Sequence, residues 1–377
     1  MTKLRDICRF QSGGTPSRGT PAYFNGNVPW ITTVALNGDV IDGNQAIEWI
    51  TDEAIAKSAA KIVPPHSVMV GTRVGIGKVA INSVPMSTSQ DIISLIGIDE
   101  NKWDKKFICH LITANKEHLT SQARGATIKG IKIEAIADLV LPEISLKEQA
   151  RISEVIGKVD ALMHMHQQMA MNLEQLIKSR FIELFGDPER NPKKWPVVSI
   201  TEIIRGKVSN GFFAKRDAYR NDGNVQVLGV ANIVNRMYSN IEGLPRTNAT
   251  QAEKEKYRVK YGDMLFCRSS LVAEGIGKAS IVPQDTPQNV LFECHVIRLP
   301  LDLQKCVPEF VQALSTTPYF RKQLIAQSKT ATMTTIGQDG ILKATIILPP
   351  VELQQEFLRF VEQTDKSKLC GKMEVAA

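Results

Sequence analysis

The sequence has few features of a membrane, secreted or disulfide-bonded protein. Its 377 residues include six cysteines, and no two of them form a C-x-x-C pair, so neither a disulfide framework nor a zinc site is indicated. No apolar run approaches the ~18 residues of a membrane span, and the first residues lack the apolar segment of a secretory signal. Because 43% of the residues are apolar and 23% are charged, we expect a folded protein of two or three domains in the reducing cytoplasm.

Known catalytic motifs are also missing. Residues 71–78 resemble a phosphate-binding loop, but Thr72 and Val79 stand where that motif needs glycine and a hydroxyl residue. There is no G-x-G-x-x-G fingerprint, no N-P-P-[YF] stretch of a base methyltransferase and no Pro-Asp dipeptide of a magnesium-dependent nuclease. His164 and His166 are two residues apart, so on a helix they point away from each other. We therefore expect neither a catalytic centre nor a metal site.

The net charge of +7 is unevenly distributed along the chain. Residues 1–142 carry +2 and residues 191–349 carry +8, whereas residues 143–190 carry −2 and residues 350–377 carry −1. Two basic regions therefore alternate with two slightly acidic ones. This pattern suits a polyanionic partner such as nucleic acid, although many soluble proteins are equally basic.

Two short sequences occur twice, about 200 residues apart. The Gly-Ile-Gly-Lys of residues 75–78 recurs at 275–278, and the Leu-Pro that ends residues 139–142 recurs at the end of 346–349. Two matches in the same order, at nearly equal offsets, indicate an internal repeat. Each copy is predicted to consist of an α/β globule, a strand that ends in Leu-Pro, and a helix. The Gly-Ile-Gly-Lys glycines are typical of tight hairpin turns.

The segment after the first Leu-Pro predicts a long helix. Ser145 suits an N-cap with Glu148 at the capping-box position, and the Gly-Asp-Pro of residues 186–188 predicts the C-terminal end. About 40 residues give a helix of roughly 60 Å. A shorter amphipathic helix follows Pro350, and the heptad pattern favours pairing of the two helices over two ordinary core helices. The predicted seam residues are Ile152, Val155, Val159, Leu162, Met169, Leu173 and Leu176 on the first helix and Leu353, Phe357 and Phe360 on the second.

Both basic regions have the pattern of α+β domains. Short β-rich runs alternate with turn clusters in the first region, and residues 105–119 predict a helix. The second region repeats this mixture, with a helix near residues 308–327. We therefore predict a domain at 1–142, a central helical region at 143–190, a second domain at 191–349 and a C-terminal helical region at 350–377.

Several of these segments match one protein family. They are Ser-Gly-Gly-Thr-Pro-Ser at 12–17, Val-Pro-Trp-Ile at 28–31, the two Gly-Ile-Gly-Lys turns, the stretch at 141–152 and the stretch at 185–196. Together with the internal repeat, they resemble the specificity subunits of type I restriction–modification systems. The resemblance covers essentially the whole chain, and it rests on the combination because each motif alone is weak.

This resemblance implies a fold and a set of partners. It implies two tandem α/β target-recognition domains, each of which reads one half of a bipartite site in double-stranded DNA. The helical regions would form an antiparallel coiled coil that holds the domains apart and docks two modification (methyltransferase) subunits. Restriction (translocase-nuclease) subunits would join them, as part of defence against foreign DNA. S-adenosylmethionine, ATP and Mg would bind to the partner subunits, so that this chain itself would be non-catalytic and bind no cofactor.

One region departs from the family pattern. The C-terminal helical region is shorter than the central one and ends in the weak Gly-Lys-Met-Glu-Val-Ala-Ala tail of residues 371–377. This leaves open whether the central helix has a full-length partner and whether partner subunits bind equally on both sides.

DNA contacts are expected from side chains in or beside the turn-rich loops. Basic side chains would position the protein on phosphates, and polar side chains would read base edges; for each residue, an ordinary solvated surface position is the alternative. The candidate phosphate contacts are Arg18, Arg73, Lys78, Arg124 and Lys129 in the first domain and Lys207, Lys215, Arg216, Arg220, Arg246, Arg268 and Lys278 in the second. The candidate base contacts are Ser17, Gln90, Asn210 and Gln338.

Other functions remain open on sequence alone. The chain is also compatible with a DNA-specificity module of another methylation-based phage-defence system that lacks a type I nuclease. A coiled-coil scaffold without a DNA role and a free-standing nuclease or methylase are further alternatives. A helix of roughly 60 Å beside DNA of ~34 Å per turn favours a split target with an unread spacer.

Overall fold

The chain divides into two units that the long central helix connects. A computed structural model describes residues 1–38, 40–125 and 129–376, with side chains as far as Asp365. Unit 1 is Met1–Met163 and unit 2 is His164–Ala377. The helix Leu146–Phe185 crosses from the first unit into the second. Residue 377 and the side chains from 366 onward, which belong to the predicted C-terminal helical region, lie outside the described residues.

Unit 1 is built from two sheets with helices packed on them. Its strands are β1 (Arg9–Ser12), β2 (Phe24–Ile31), β3 (Val40–Ile41), β4 (Glu48–Ile50), β5 (Ile62–Val63), β6 (Val68–Gly71), β7 (Val79–Asn82), β8 (Met86–Thr88) and β9 (Ile92–Ile96), and its helices are α1 (Asp52–Lys57), α2 (Lys105–Ala114), α3 (Lys116–Ser121), α4 (Ile133–Ala137) and the first half of α5 (Leu146–Phe185). The strand orders are β1-β9-β6-β7-β3 and β4-β2-β8-β5. The core lies between α2 and the first sheet, where Val68, Leu95 and Ile112 are fully buried.

Unit 2 has the same kind of architecture. Its strands are β10 (Val197–Ser199), β11 (Ser209–Asn210), β12 (Val225–Leu228), β13 (Arg246–Thr247), β14 (Asp263–Cys267), β15 (Ser269–Ser270), β16 (Ala279–Ile281), β17 (Val290–Phe292), β18 (Val296–Pro300), β19 (Lys329–Thr330), β20 (Thr334–Thr335) and β21 (Thr345–Ile347), and its further helices are α6 (Gln251–Tyr257), α7 (Pro308–Ser315), α8 (Pro318–Ala326), α9 (Gln338–Leu342) and α10 (Val351–Ala376). The strand orders are β11-β18-β14-β16, β13-β12-β17, β15-β20-β19 and β10-β21.

The two units repeat one topology, which confirms the internal repeat inferred from the sequence. The order β1-β9-β6-β7 in unit 1 corresponds to β11-β18-β14-β16 in unit 2, and β4-β2-β8 corresponds to β13-β12-β17. The directions agree as well, because β2 and β8 pair in parallel, as do β12 and β17. Chance similarity would not reproduce both the order and the directions of these pairs.

The Gly-Ile-Gly-Lys segments close equivalent hairpins. In unit 1 the Gly71 N–H donates to the Lys78 carbonyl oxygen at 2.8 Å, and in unit 2 the Cys267 N–H donates to the Lys278 carbonyl oxygen at 2.8 Å. Gly77 has φ +76°, a left-handed conformation that favours glycine. The predicted turns are therefore confirmed.

Two predicted helices are each split in two. Residues 105–119 form α2 and α3, because Asn115 leaves the helical conformation and its side chain bonds back to the Leu111 carbonyl oxygen at 2.8 Å. Residues 308–327 form α7 and α8, because Thr317 caps the second helix and Pro318 cannot continue the first.

The strand predicted to end at the first Leu-Pro is reduced to a single bridge. Val140 bridges to Lys3 alone, whereas Ile347, at the corresponding position of unit 2, lies within β21 and pairs with Val197. Val140 is 45% exposed and Ile347 is fully buried. Leu139 and Leu141 on either side are buried, but Val140 gains little apolar burial from pairing, so little favours a longer strand.

Helix α5 begins and ends at the predicted signals. The Ser145 hydroxyl accepts from the Glu148 N–H at 3.2 Å, and the helix ends before Gly186, which has φ +78°. The Lys193 ammonium donates to the exposed carbonyl oxygen of Leu184 at 2.8 Å, which satisfies a helix-end acceptor. Among the described residues, neither this 40-residue helix nor any other is long and apolar enough to cross a membrane.

The end of α5 packs against α10 and α7 within unit 2. The Phe185 ring lies 4.8 Å from Phe310 and 5.7 Å from Phe357, and Phe181 lies 5.7 Å from Phe357. The Arg180 guanidinium donates to Glu356 at 2.6 Å. The end of α5 therefore pairs with the start of α10 through aromatic residues.

The predicted seam coincides only in part with these contacts. On α10, Phe357 is buried, and Leu353 and Phe360 pack against the same core. On α5, Ile152 and Leu173 are partly buried, and the α10 contacts fall on Phe181 and Phe185, beyond the predicted heptads. The other predicted seam residues of α5 are 44% to 54% exposed, and they are Val155, Val159, Leu162, Met169 and Leu176.

Helices α2 and α7 correspond to each other but differ in burial. All eight residues of α7 are buried. In α2, only Phe107, Ile108, Cys109 and Ile112 are buried. The extra cover of α7 comes from the aromatic end of α5, from α10, and from Tyr238 and Tyr261, whose hydroxyl groups donate to the Glu309 carboxylate at 3.0 and 3.2 Å.

Candidate nucleic-acid interface

In unit 1, several loops meet at one end of the β1-β9-β6-β7-β3 sheet. The Thr72 N–H donates to the Asp91 carbonyl oxygen at 2.8 Å, and the Ile131 N–H donates to the Thr72 carbonyl oxygen at 2.8 Å. The Gly13 N–H donates to the Ile92 carbonyl oxygen at 3.0 Å. We call residues 12–15, 72–75, 89–91, 124–125 and 129–131 the unit 1 loop cluster.

This cluster brings four candidate DNA contacts together. Arg73, Gln90, Arg124 and Lys129 are all exposed. The Arg73 guanidinium lies 3.5 Å from an Asp91 carboxylate oxygen. Three cations beside a polar amide and one acid make an exposed, basic surface, which is the arrangement that phosphate contact requires.

Ser17 and Arg18 occupy a neighbouring site on the β4-β2-β8-β5 sheet. The Arg18 guanidinium donates to both carboxylate oxygens of Glu48, at 2.8 and 3.1 Å, and lies 5.7 Å from the centre of the Phe24 ring. The hydrogen bond and charge of Glu48 raise the pKa of Arg18. Arg18 is therefore held by a carboxylate. Ser17 is exposed beside it, and Lys78 is exposed in the hairpin turn.

Unit 2 has an equivalent loop cluster. The Arg268 N–H donates to the His295 carbonyl oxygen at 2.9 Å, and the Ile336 N–H donates to the Arg268 carbonyl oxygen at 3.0 Å. The Gln338 amide lies 3.2 Å from the Asn210 backbone nitrogen. The unit 2 loop cluster, residues 210–213, 268–275, 293–295 and 334–338, therefore joins three candidates that are 58 or more residues apart in sequence.

A second group of candidates in unit 2 forms a basic patch. The Arg220 N–H donates to the Arg246 carbonyl oxygen at 2.9 Å, and the Arg246 side chain donates to the Gly223 carbonyl oxygen at 3.0 Å. Lys215 and Arg216 are exposed on the same loop. We call these four cations the unit 2 basic patch.

Two further candidates lie outside these groups. Lys207 is exposed before β11. The Lys278 ammonium donates to the Asn235 amide oxygen at 2.8 Å, so that part of its hydrogen-bonding capacity is already used. The assignment of all these residues to DNA contact stays a prediction.

Apolar side chains at the loop tips were not among the predicted contacts. Phe213 is 70% exposed, and Leu271 is 81% exposed within a loop that is four residues longer than its unit 1 counterpart. Val74 holds the corresponding place in unit 1 and is 57% exposed. Apolar residues inside turn-rich segments were the available signal. Such groups can contact thymine methyl groups in the major groove.

The described residues contain no cluster of His, Cys, Asp and Glu suited to a metal ion. Burial raises the pKa of the Cys109 and Cys306 thiols to about 12. Such thiols stay protonated at neutral pH and are poor nucleophiles. They act as small apolar core groups.

Comparison with known proteins gives one family. The model of the type I restriction modification DNA specificity domain matches residues 1–175 and again residues 192–371. The MjaIX specificity subunit of Methanocaldococcus jannaschii is 24% identical over 380 residues, covering 96% of this chain and 85% of the relative. The EcoKI specificity subunit of Escherichia coli K12 is 26% identical over 339 residues, covering 82% of this chain and 69% of the relative.

Solved structures of such subunits share the fold. The chain aligns with the type I restriction–modification S subunit from M. genitalium at a TM-score of 0.57 and 13% identity, covering 100% of this chain and 91% of that one. A structure from a study of the assembly and conformational transition of the type I R-M system aligns at 0.54 and 15% identity, covering 100% and 92%.

These matches decide between the functions left open above. The α+β class with two tandem domains and long helices is confirmed, and restriction–modification is favoured over a defence system without a type I nuclease. The chain belongs to the type I restriction modification DNA specificity family, and it is a specificity subunit that carries two copies of the family's domain.

Proposed function

We propose that each unit of this specificity subunit reads one half of a bipartite site in double-stranded DNA. The observation that carries the proposal is the duplicated loop cluster, which lies at the same end of the corresponding sheet in both units. It presents exposed cations in unit 1 and the partly exposed Arg268, Asn210 and Gln338 in unit 2. Two readers on one chain call for a target in two parts, with a spacer between them.

Within each unit, basic, polar and apolar side chains would make different kinds of contact with DNA. Arg73, Arg124 and Lys129 in unit 1 and the unit 2 basic patch would bind phosphates, which provides affinity that depends on salt. Gln90, Asn210 and Gln338 would form hydrogen bonds with base edges. The exposed Phe213 and Leu271 would add apolar contacts.

The long helices would set the distance between the readers and dock the partner proteins. The exposed apolar face of α5 suits packing against modification subunits, of which we propose two, joined by restriction subunits. The chain would thus be the non-catalytic part of a DNA adenine methyltransferase and ATP-dependent restriction complex in the cytoplasm. S-adenosylmethionine, ATP and Mg would bind to the partner subunits.

Methylome sequencing of the host tests the proposal directly. Deletion of the gene should remove one methylated motif that consists of two short half-sites and an unread spacer. Changes to the unit 1 loop cluster should alter one half-site only, and changes to the unit 2 loop cluster should alter the other. A motif that persists without the gene contradicts the proposal.

The helix-ruler part has its own test. Deletion of residues 162–168 removes one heptad of α5, or about 10 Å, which corresponds to about three base pairs of DNA. We expect the preferred spacer to shorten while both half-sites stay unchanged. An unchanged spacer would show that α5 does not set the distance.

A further inference from the structure

A buried glutamine connects α5 to the recognition domain of unit 1. Gln149 is 1% exposed. Its side-chain oxygen accepts from the Asp104 N–H at 3.0 Å, and its nitrogen donates to the carbonyl oxygens of Lys102 and Ile144 at 3.1 and 3.2 Å. Asp104 is the N-cap of α2, so this single amide connects the start of one helix to the first turn of the other.

Unit 2 contains the same connection. Gln354 is fully buried. Its side-chain oxygen accepts from the Val307 N–H at 2.9 Å, and its nitrogen donates to the Pro349 carbonyl oxygen at 2.8 Å. Val307 is the N-cap of α7. Both glutamines stand at the fourth position of their long helix.

Burial alone does not account for a glutamine at these positions. A methionine of similar length would fill the space and would not have to desolvate an amide. The amide differs because its hydrogen bonds are directional and its partners are backbone groups on both sides of the contact between the domain and its long helix. We call this contact the joint. A bond of this kind fixes the angle between two elements, whereas apolar packing alone tolerates small rotations.

The surroundings of the two glutamines differ. In unit 1 the joint is polar, since the Ser153 hydroxyl donates to the Asp104 carboxylate at 2.9 Å. In unit 2 the joint is backed by the rings of Phe181, Phe185 and Phe310. Loss of the amide should therefore loosen unit 1 more than unit 2.

We infer that Gln149 and Gln354 are positioning residues that fix the angle of each recognition domain on its long helix, and that they thereby restrict the spacer lengths the subunit accepts. The inference rests on the proposed function. Each base pair added to a spacer moves a half-site by about 3.4 Å and turns it by about 35°, so a rigid joint rejects a wrong spacer and a loose joint tolerates it.

The test compares Gln149→Met and Gln354→Met with Gln355→Met, an exposed neighbour that serves as the control. The full chain, assembled with its modification subunits, is measured on duplexes whose spacers differ by one or two base pairs from the preferred length. For the wild type and the control we expect about a tenfold loss of binding per base pair. Gln149→Met should reduce this loss to about threefold or less, and Gln354→Met should have a smaller effect, with both half-sites unchanged.

A uniform loss of affinity at every spacer length would show a merely structural role and would overturn the inference. Gln149→Glu gives a second variant, because it keeps the acceptor for the Asp104 N–H and should retain part of the wild-type spacer preference. If it behaves like the control while Gln149→Met does not, the acceptor alone is sufficient.

Hydrogen exchange separates failure of the inference from failure of the proposed function. In the same assemblies without DNA, Gln149→Met should accelerate exchange of the Asp104 amide about tenfold or more, while amides of the central strand β6 stay protected. If the Asp104 amide of Gln149→Met exchanges at the wild-type rate, Gln149 does not hold the two elements together and the inference is refuted. A different outcome is that the Asp104 amide exchanges faster but the wild-type assembly shows no spacer preference. That result refutes the proposed function, together with the claim about spacer length that depends on it.

Discussion

Helix α7 of unit 2 is buried along its whole length, whereas its counterpart α2 in unit 1 buries only one side. The difference arises because the aromatic end of α5, helix α10 and the side chains of Tyr238 and Tyr261 cover α7, and no segment with described side chains supplies the same cover to α2. The two copies therefore keep one sheet topology but differ at the joint with the helix. The sheet is fixed within each repeat, whereas the joint depends on what the rest of the chain brings to it.

The largest expected effect compares the corresponding core positions Phe357 and Ile152. Phe357→Ala removes a fully buried ring that contacts Phe181 and Phe185, so it should lower the free energy of unfolding of unit 2 by about 3–5 kcal/mol. Ile152→Ala, at a partly buried site, should cost unit 1 about 1–2 kcal/mol. Urea unfolding followed by hydrogen exchange in each unit measures both values, and equal losses would refute the difference between the joints.

The second prediction concerns pH. Burial raises the pKa of Asp263 from 3.8 to about 6, and the corresponding residue of unit 1 is Ser67, which does not titrate. A raised carboxyl pKa favours folding below pH 3.8 and costs stability as pH rises through about 6, with a limit of about 3 kcal/mol.

Asp263→Asn keeps an acceptor for the Lys260 N–H, which lies 3.1 Å from the carboxylate, and it removes the titration. The variant should gain stability over the wild type above pH ~6 and gain little at pH ~4. Thermal unfolding of unit 2 as a function of pH tests this. A gain that does not change with pH would mean that Asp263 does not titrate as stated.

A smaller effect compares Arg18 with Arg216, which stand six residues after the ends of the corresponding strands β1 and β11. Arg18 is held by Glu48, whereas no ion pair among the described residues involves Arg216. Arg216→Gln should lower the slope of log binding constant against log salt by about 1, and Arg18→Gln should lower it by less. Gel shifts over a salt series measure the slopes, and equal changes would contradict the assignment.

The smallest effect on folding concerns the loop tips. Leu271→Ala and Val74→Ala remove exposed side chains, so each should change the free energy of unfolding by less than about 0.5 kcal/mol. Each should weaken binding to its own half-site and leave the other half-site unaffected. Binding assays with one half-site mutated at a time measure this. Equal losses on both half-sites would show that the two units do not read separate half-sites.

Short-range signals predicted much of the fold. Ser145 and Gly186 bracket α5 because capping and glycine effects act within a few residues. The hairpins at Gly77 and Gly277 follow for the same reason. The break at Asn115 was missed, because an apolar pattern continues across it and only a local hydrogen bond ends the helix.

The sequence predicted which types of residue make up most of the candidate site. It did not predict where in the fold they come together. The candidate basic and polar side chains are exposed or partly exposed, and their contacts with DNA stay a prediction. Their grouping was not predictable, since Asn210 and Gln338 meet only when β11 and α9 come together. The restraint of Arg18 by Glu48 depends likewise on the pairing of β2 with β4.

The sequence by itself determined the duplication, the long helix and the lack of known catalytic motifs, because each of these can be recognised from short stretches of neighbouring residues. The tertiary structure decided which apolar face of α5 is covered and how each domain is fixed to its helix. The heptad residues and Phe181 are equally apolar, but the contacts of α10 fall on Phe181 and Phe185. Packing depends on which surfaces meet in space, and a repeat in sequence does not specify that.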